Sequence, residues 1–219
     1  MARTRVYQHY CPIARSLEVI GEKWSLLIVR DLLDGPQRFS DLLRSLGGIT
    51  PKWLTLRLRD LEEAGIVERD SEAGRREVWY RLSPKGAELA PVVESLGTWG
   101  IHHAMRPPLP GEPLNPGRVT GAVVMYLNQR SVRPARPITW CVRFADGRAY
   151  TVRFADRWSI QRGESPADVT VDTSPEQWVA YLMAAPEDRV NLVGSLAVQG
   201  QAAAVQEFVD LCGYQLACL

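Results

Sequence analysis

Apolar residues recur at helical spacing through most of the first half of the chain and shift to short alternating runs in the second. Pro12–Ile20 opens with proline at a first helical position and ends at Gly21, which predicts a short helix. Lys23–Leu33 carries Trp24, Leu26, Leu27, Ile28, Val29, Leu32 and Leu33 on nearly all sides and predicts a central core helix. Asp34-Gly35-Pro36 breaks it, and Ser40–Leu46 reads as a further short helix with Phe39 as a staple. After the Gly47-Gly48 turn, Thr50 is an N-cap ahead of Pro51, starting a helix that runs to about Ala64 and stops at Gly65. Ile66–Arg69 and Val78–Leu82, separated by the polar tip Ser71–Arg76, read as a hairpin. Ser83-Pro84 then caps one helix through about His103.

Five of the 15 prolines fall between Arg106 and Gly117, which predicts a semi-rigid linker rather than helix or central strand. Beyond it, Arg118–Asn128 reads as helix, and Ile138–Phe144, Ala149–Phe154, Ser159–Gln161 and Asp168–Asp172 as strands. Ser174–Met183 and Ala202–Leu211 are amphipathic helices. The expected organisation is a first domain over 1–106, a linker over 107–117 and an α+β domain over 118–219.

The helix from Pro51 has two faces at 100° per residue: Leu54, Leu58 and Leu61 cluster inward, and Lys52, Thr55, Leu56, Arg59 and Glu63 outward. Alone, the outward face reads as solvated surface. Its context is a helix and turn before it and a hairpin tipped by Arg75 and Arg76 after it, the order of a winged helix-turn-helix. A capped helix presenting Thr50, Lys52, Thr55, Leu56 and Arg59 suits a major groove, and Arg75 and Arg76 suit the phosphate backbone or an adjacent minor groove.

Charge adds nothing to this in bulk, because 26 basic residues face 25 acidic ones for a net +1. Any affinity for nucleic acid therefore rests on where the cations sit. The absence of a long apolar run or secretory start predicts a cytoplasmic protein with no membrane partner. Cys11, Cys141, Cys212 and Cys218 have no metal or disulfide spacing, and His9, His102 and His103 no ligand spacing. Neither a phosphate loop nor a nucleophile elbow is present, so no metal, no cofactor and no enzymatic activity is expected.

The motifs from Cys11 to Leu33, Gly35-Pro-Gln-Arg-Phe-Ser-Asp-Leu, Ile49-Thr-Pro-Lys, Arg57-Leu-Arg-Asp-Leu-Glu-Glu-Ala-Gly-Ile-Val and Leu82-Ser-Pro-Lys-Gly resemble the HxlR-type winged-helix regulators of bacteria over about residues 9–103. The resemblance implies double-stranded DNA as partner, Thr50–Ala64 as recognition helix, and a homodimer formed by the terminal helices of the domain. Its half-sites would lie about one helical turn, roughly 34 Å, apart or a multiple of it. Leu56 stands where family members often carry glutamine, and Cys11 matches a cysteine that senses thiol chemistry in some members. The stretches Pro166–Trp178 and Gly194–Val205 are similar to the sterol carrier protein type two fold, in which a sheet and helices enclose an apolar tunnel. Trp140, Phe144, Trp158, Trp178, Tyr181, Leu182 and Phe208 are enough apolar mass to line such a pocket, and equally enough to fill a core. The expected fold class is therefore α+β, a winged helix-turn-helix followed by a sheet-and-helix domain of sterol-carrier type. The expected function is a dimeric DNA-binding regulator controlled by a small hydrophobic or lipid-like ligand, the alternative a thiol-responsive regulator acting through Cys11.

Overall fold

A computed structural model describes residues 6–70, 77–184 and 186–212. It divides into two compact units that meet between Ser95 and Leu96. The first unit contains α1 (Pro12–Ile20), α2 (Ser25–Leu33), β1 (Gln37–Arg38), α3 (Phe39–Leu46), α4 (Pro51–Glu63), β2 (Val67–Asp70), β3 (Trp79–Leu82), α5 (Pro84–Ala87) and the start of α6 (Ala90–His103). The strands form a small antiparallel sheet in the order β1-β3-β2. Ile28, Val29 and Leu32 of α2, Leu42 and Leu46 of α3, and Leu54, Leu58 and Leu61 of α4 close one core beneath Ile66 and Val67. Each such side chain contributes about 1.5–3 kcal/mol through water exclusion, so the inner face of α4 holds it in this core.

Two expectations about these helices change. The helix after Pro84 is not continuous: it turns at Glu88 and Leu89 and restarts as α6, because Pro91 has no N–H to donate back to the Ala87 carbonyl. The core helix is apolar all round in sequence, yet Leu27 and Leu33 of α2 remain exposed.

The second unit holds the rest of α6, α7 (Pro116–Gln129), β4 (Ile138–Phe144), β5 (Ala149–Phe154), β6 (Trp158–Arg162), β7 (Val169–Thr173), α8 (Pro175–Met183), α9 (Pro186–Val193), β8 (Ala197–Gly200) and α10 (Ala202–Cys212). The sheet is mixed, in the order β6-β5-β4-β7-β8, with β4 and β7 parallel and the other neighbours antiparallel. Ile138, Trp140, Val142 and Phe144 of β4, with Val152, Trp158, Val169 and Val171, face a core closed by α7, α8 and α10. Thr139, Cys141 and Arg143 point to the opposite face, as strand alternation requires. There Arg143 pairs with Asp172 across the parallel ladder, and Thr151 donates to the Gly163 carbonyl at 2.8 Å.

Asn128, near the end of α7, accepts from the Trp158 backbone N–H and donates to its carbonyl, both at 2.9 Å. Gly117 sits at the start of α7 because a Cβ there would meet the Tyr150 ring at 2.7 Å. The proline-rich stretch 107–117 lies within this second unit, in which Gln129 at the end of α7 donates to Thr98 of α6. No helix among the described residues is long and apolar enough to cross a membrane.

Candidate DNA-reading helix

The α3–α4 turn is made by Gly47 and Gly48, both at positive φ (+53° and +66°), a region that suits glycine. Thr50 then caps α4 by accepting the Trp53 backbone N–H at 3.3 Å, with Pro51 supplying the pre-set first turn. At the far end Lys85 donates to the Ala64 carbonyl at 2.8 Å, and Gly65 turns the chain at φ +70°. Ser83 donates to the Gly65 carbonyl at 2.7 Å and accepts the Gly86 N–H at 2.9 Å. A Cβ at Gly86 would stand 2.1 Å from the Ile66 carbonyl oxygen, so only glycine lets α5 seat against the strand that leaves α4. Arg57, buried on the flank of α4, pairs with Asp60 at 3.0 Å and with Glu22 at 3.6 Å, which ties the helix to the turn before α2.

Both ends of α4 are thus anchored while its outer face stays open. Thr50, Lys52, Thr55 and Arg59 are exposed there and Leu56 is half-buried, the arrangement the helical spacing predicts. Thr55 donates its hydroxyl to the Pro51 carbonyl at 2.9 Å, leaving its methyl group and acceptor lone pairs outward. Arg59 is held by Glu63 at 2.8 Å; both are exposed, so solvent screens the pair and leaves the guanidinium able to turn to another acceptor. Trp53, which the two-face reading leaves out, is 53% exposed. At 100° from Lys52 it lies on the edge of the outer face beside Leu56, and the wheel itself carries that signal.

Arg75 and Arg76 lie outside the described residues. At the base of the hairpin, Arg38 pairs with Glu77 at 2.5 Å and stacks over Trp79 with its guanidinium carbon 4.7 Å from the ring centroid.

A family model described as HxlR-like helix-turn-helix matches residues 19–107, covering α2 to α6 and the whole arrangement around α4. The uncharacterized HTH-type transcriptional regulator sll1512 of Synechocystis sp. is 42% identical over 94 residues, which span 42% of this chain and 69% of that protein. The chain belongs to the HxlR-like helix-turn-helix family. Its fold is mixed α+β with a winged helix-turn-helix of regulator type, and its class is that of HTH-type transcriptional regulators. Rv3095 of Mycobacterium tuberculosis, likewise named an uncharacterized HTH-type transcriptional regulator, is 40% identical over 98 residues, 43% of this chain and 60% of its own length. Among solved structures, the redox regulator HypR in its oxidized form is 36% identical, covers 44% of this chain and 100% of its own, and has a TM-score of 0.42.

The seven aromatic and apolar residues expected as pocket or core sit in the second unit, each at most 4% exposed. Phe208 packs edge-on to Trp140, with centroids 5.1 Å apart, and stacks with Trp178 and Tyr181 at 6.4 Å. Trp178 donates to Thr120 at 3.2 Å and Trp158 to the Val132 carbonyl at 2.7 Å. Trp140 Nε1 and the Tyr181 hydroxyl are buried without a hydrogen-bond partner among the described residues. Burial pushes the pKa of the Tyr181 hydroxyl and of the Cys212 thiol well up, so both stay protonated at neutral pH. Cys11 is a half-buried free thiol at the N-cap of α1, whereas Cys141 and Cys212 are buried. No group of His, Cys, Asp and Glu side chains among the described residues is placed to hold a metal ion.

Proposed function

We propose that this HxlR-like regulator acts in the cytoplasm as a homodimer that grips double-stranded DNA with α4 in the major groove. The observation that carries the reading is the contrast between the two faces of one capped helix: Leu54, Leu58 and Leu61 are buried, while Lys52, Thr55 and Arg59 are open to solvent. The N-terminal turns of such a helix bring a partial positive charge and side-chain donors to phosphates and base edges together. Arg75 and Arg76, between β2 and β3 in sequence, are taken to meet the backbone or minor groove. Selection of duplexes from a random-sequence pool by the full chain tests this, with enrichment of a palindrome as the expected result. Failure to enrich any sequence would remove the reading.

Dimer formation is supported by apolar side chains left in solvent on two helices. Ile13 and Leu17 of α1 are exposed, and so are Val92, Leu96 and Trp99 of α6. Sedimentation at micromolar concentration is expected to give twice the chain mass.

For the second unit the reading is a regulatory domain of sterol-carrier type that takes a small hydrophobic ligand. A mixed sheet with helices on one face supports the architecture, and the unpartnered Trp140 Nε1 and Tyr181 hydroxyl support a ligand with an apolar body and a polar end. Entry requires the packing of Phe208 on Trp140 and Tyr181 to open. Displacement of a fluorescent fatty acid from the full chain, with a change in DNA affinity, is the expected result; binding without that change would refute control by ligand. A thiol-responsive mode has one observation in its favour, that Cys11 is the least buried of the described cysteines. Oxidant-induced release from DNA that vanishes in Cys11→Ser is its test.

A further inference from the structure

We infer that Trp53 and Leu56 form an apolar ridge on α4 that reads thymine through its C5 methyl group; this rests on the DNA-binding reading of α4. The two residues are three apart on one helix and so are surface neighbours. Trp53 is 53% exposed, Leu56 is half-buried, and neither belongs to the core of the first unit or packs against it. A tryptophan left in water on a helix already fixed by Leu54, Leu58 and Leu61 does nothing for the fold, so its apolar surface is available to a partner.

The rest of the outer face narrows what that partner presents. Thr55 has spent its hydroxyl hydrogen on the Pro51 carbonyl and Arg59 is paired with Glu63, so among the described residues Lys52 and the indole N–H of Trp53 are the donors on this face that no neighbour engages, and beside them lie the Thr55 methyl, the Trp53 ring and the Leu56 isobutyl group. In the major groove each base pair offers donors and acceptors, and the thymine C5 methyl is the apolar group among them. Lys52 and the capped helix N-terminus beside the ridge favour the polyanion that carries those methyls over an uncharged protein surface. The chemistry of the outer face therefore selects thymine at the positions next to Trp53 and Leu56, with hydrogen-bonded readout left to Lys52 and to Arg59 once it leaves Glu63.

The test uses the full chain and the duplex it selects from a random-sequence pool, synthesised again with deoxyuridine in place of thymidine one position at a time, at fixed salt. Loss of each contacted methyl is expected to weaken binding about fourfold, the effect of returning one buried methyl-sized group to water. Trp53→Ala and Leu56→Ala are expected to bind the thymidine and deoxyuridine duplexes alike, and Trp53→Phe to keep the preference. The thymidine-to-deoxyuridine comparison uses the unaltered chain, so it stands even if a variant unfolds. Equal binding of all deoxyuridine duplexes by the unaltered chain, or a methyl preference that survives in both alanine variants, would overturn the inference. Enrichment of no duplex at all is a different outcome, because it removes the DNA-binding reading and the ridge with it.

Discussion

Trp53 on α4 and Trp140, Trp158 and Trp178 in the second unit set the same residue type to opposite uses. The first is 53% exposed on a helix anchored by other residues, and the other three are 1% exposed, Trp140 packed on Trp158 and both Trp140 and Trp178 on Phe208. The difference shows where each unit can change. On α4 stability rests on the inner leucines, so the outer face is free to vary without cost to the core. In the second unit the aromatic side chains hold the sheet and helices together, so any ligand has to displace contacts that also stabilise the fold. An open recognition face and a closed interior call for different experiments.

The largest effect is expected from the closed side. Trp178→Ala removes a side chain stacked on Tyr181 and Phe208 and hydrogen-bonded to Thr120, and is expected to cost about 3–5 kcal/mol in urea unfolding of the full chain. A cost below about 1 kcal/mol would mean that the interior already contains slack, which favours a preformed pocket and weakens the contrast. Next comes Thr50→Ala, which removes the cap of α4 and is expected to lower stability by about 0.5–2 kcal/mol. Trp53→Ala, by contrast, is expected to stay within about 0.5 kcal/mol of the parent in the same measurement. A larger loss would show that Trp53 serves the fold.

How much of this was legible follows the same division. β4 and β5 are read to the residue because Ile138, Trp140, Val142 and Phe144, and then Tyr150, Val152 and Phe154, recur at every second position, and α4 is framed by Thr50, Pro51 and Gly65, each with a local reason to be where it is. β1, α9 and β8 escape the sequence pattern: β1 has two residues, and β8 is held by backbone pairing to β7 while Ala197, Gln199 and Gly200 stay exposed. The break before α6 was marked by Pro91, and the helical run of apolar residues masked it. Trp53 was overlooked because a large apolar residue is expected inside, an expectation that periodicity alone contradicts. The choice between pocket and core for the seven aromatic and apolar residues is invisible to composition, since it depends on how rings from β4, β6, α8 and α10 meet in space.

The smallest effect concerns the open face of the second sheet. Hydrogen bonding to Arg143 holds the Asp172 carboxyl below the usual aspartate range of about 3.9. A depressed folded-state pKa gives stability that is present above the ordinary value and lost as pH falls through the lowered one. Acid unfolding of the full chain is therefore expected to include a small component below about pH 4 that disappears in Arg143→Gln. An unchanged acid profile in that variant would mean that this exposed pair contributes nothing measurable.

The central claim is that the outer face of α4 is the surface that holds DNA. Its most direct test is the dissociation constant of the full chain for its selected duplex at fixed salt, with and without Lys52→Ala and Arg59→Ala together, beside Arg153→Ala on the second sheet. The account predicts a loss of at least about tenfold for the α4 pair, since a base-contacting arginine is worth roughly 1–3 kcal/mol, with unchanged unfolding and no effect of Arg153→Ala. Undiminished affinity in the α4 pair would contradict it.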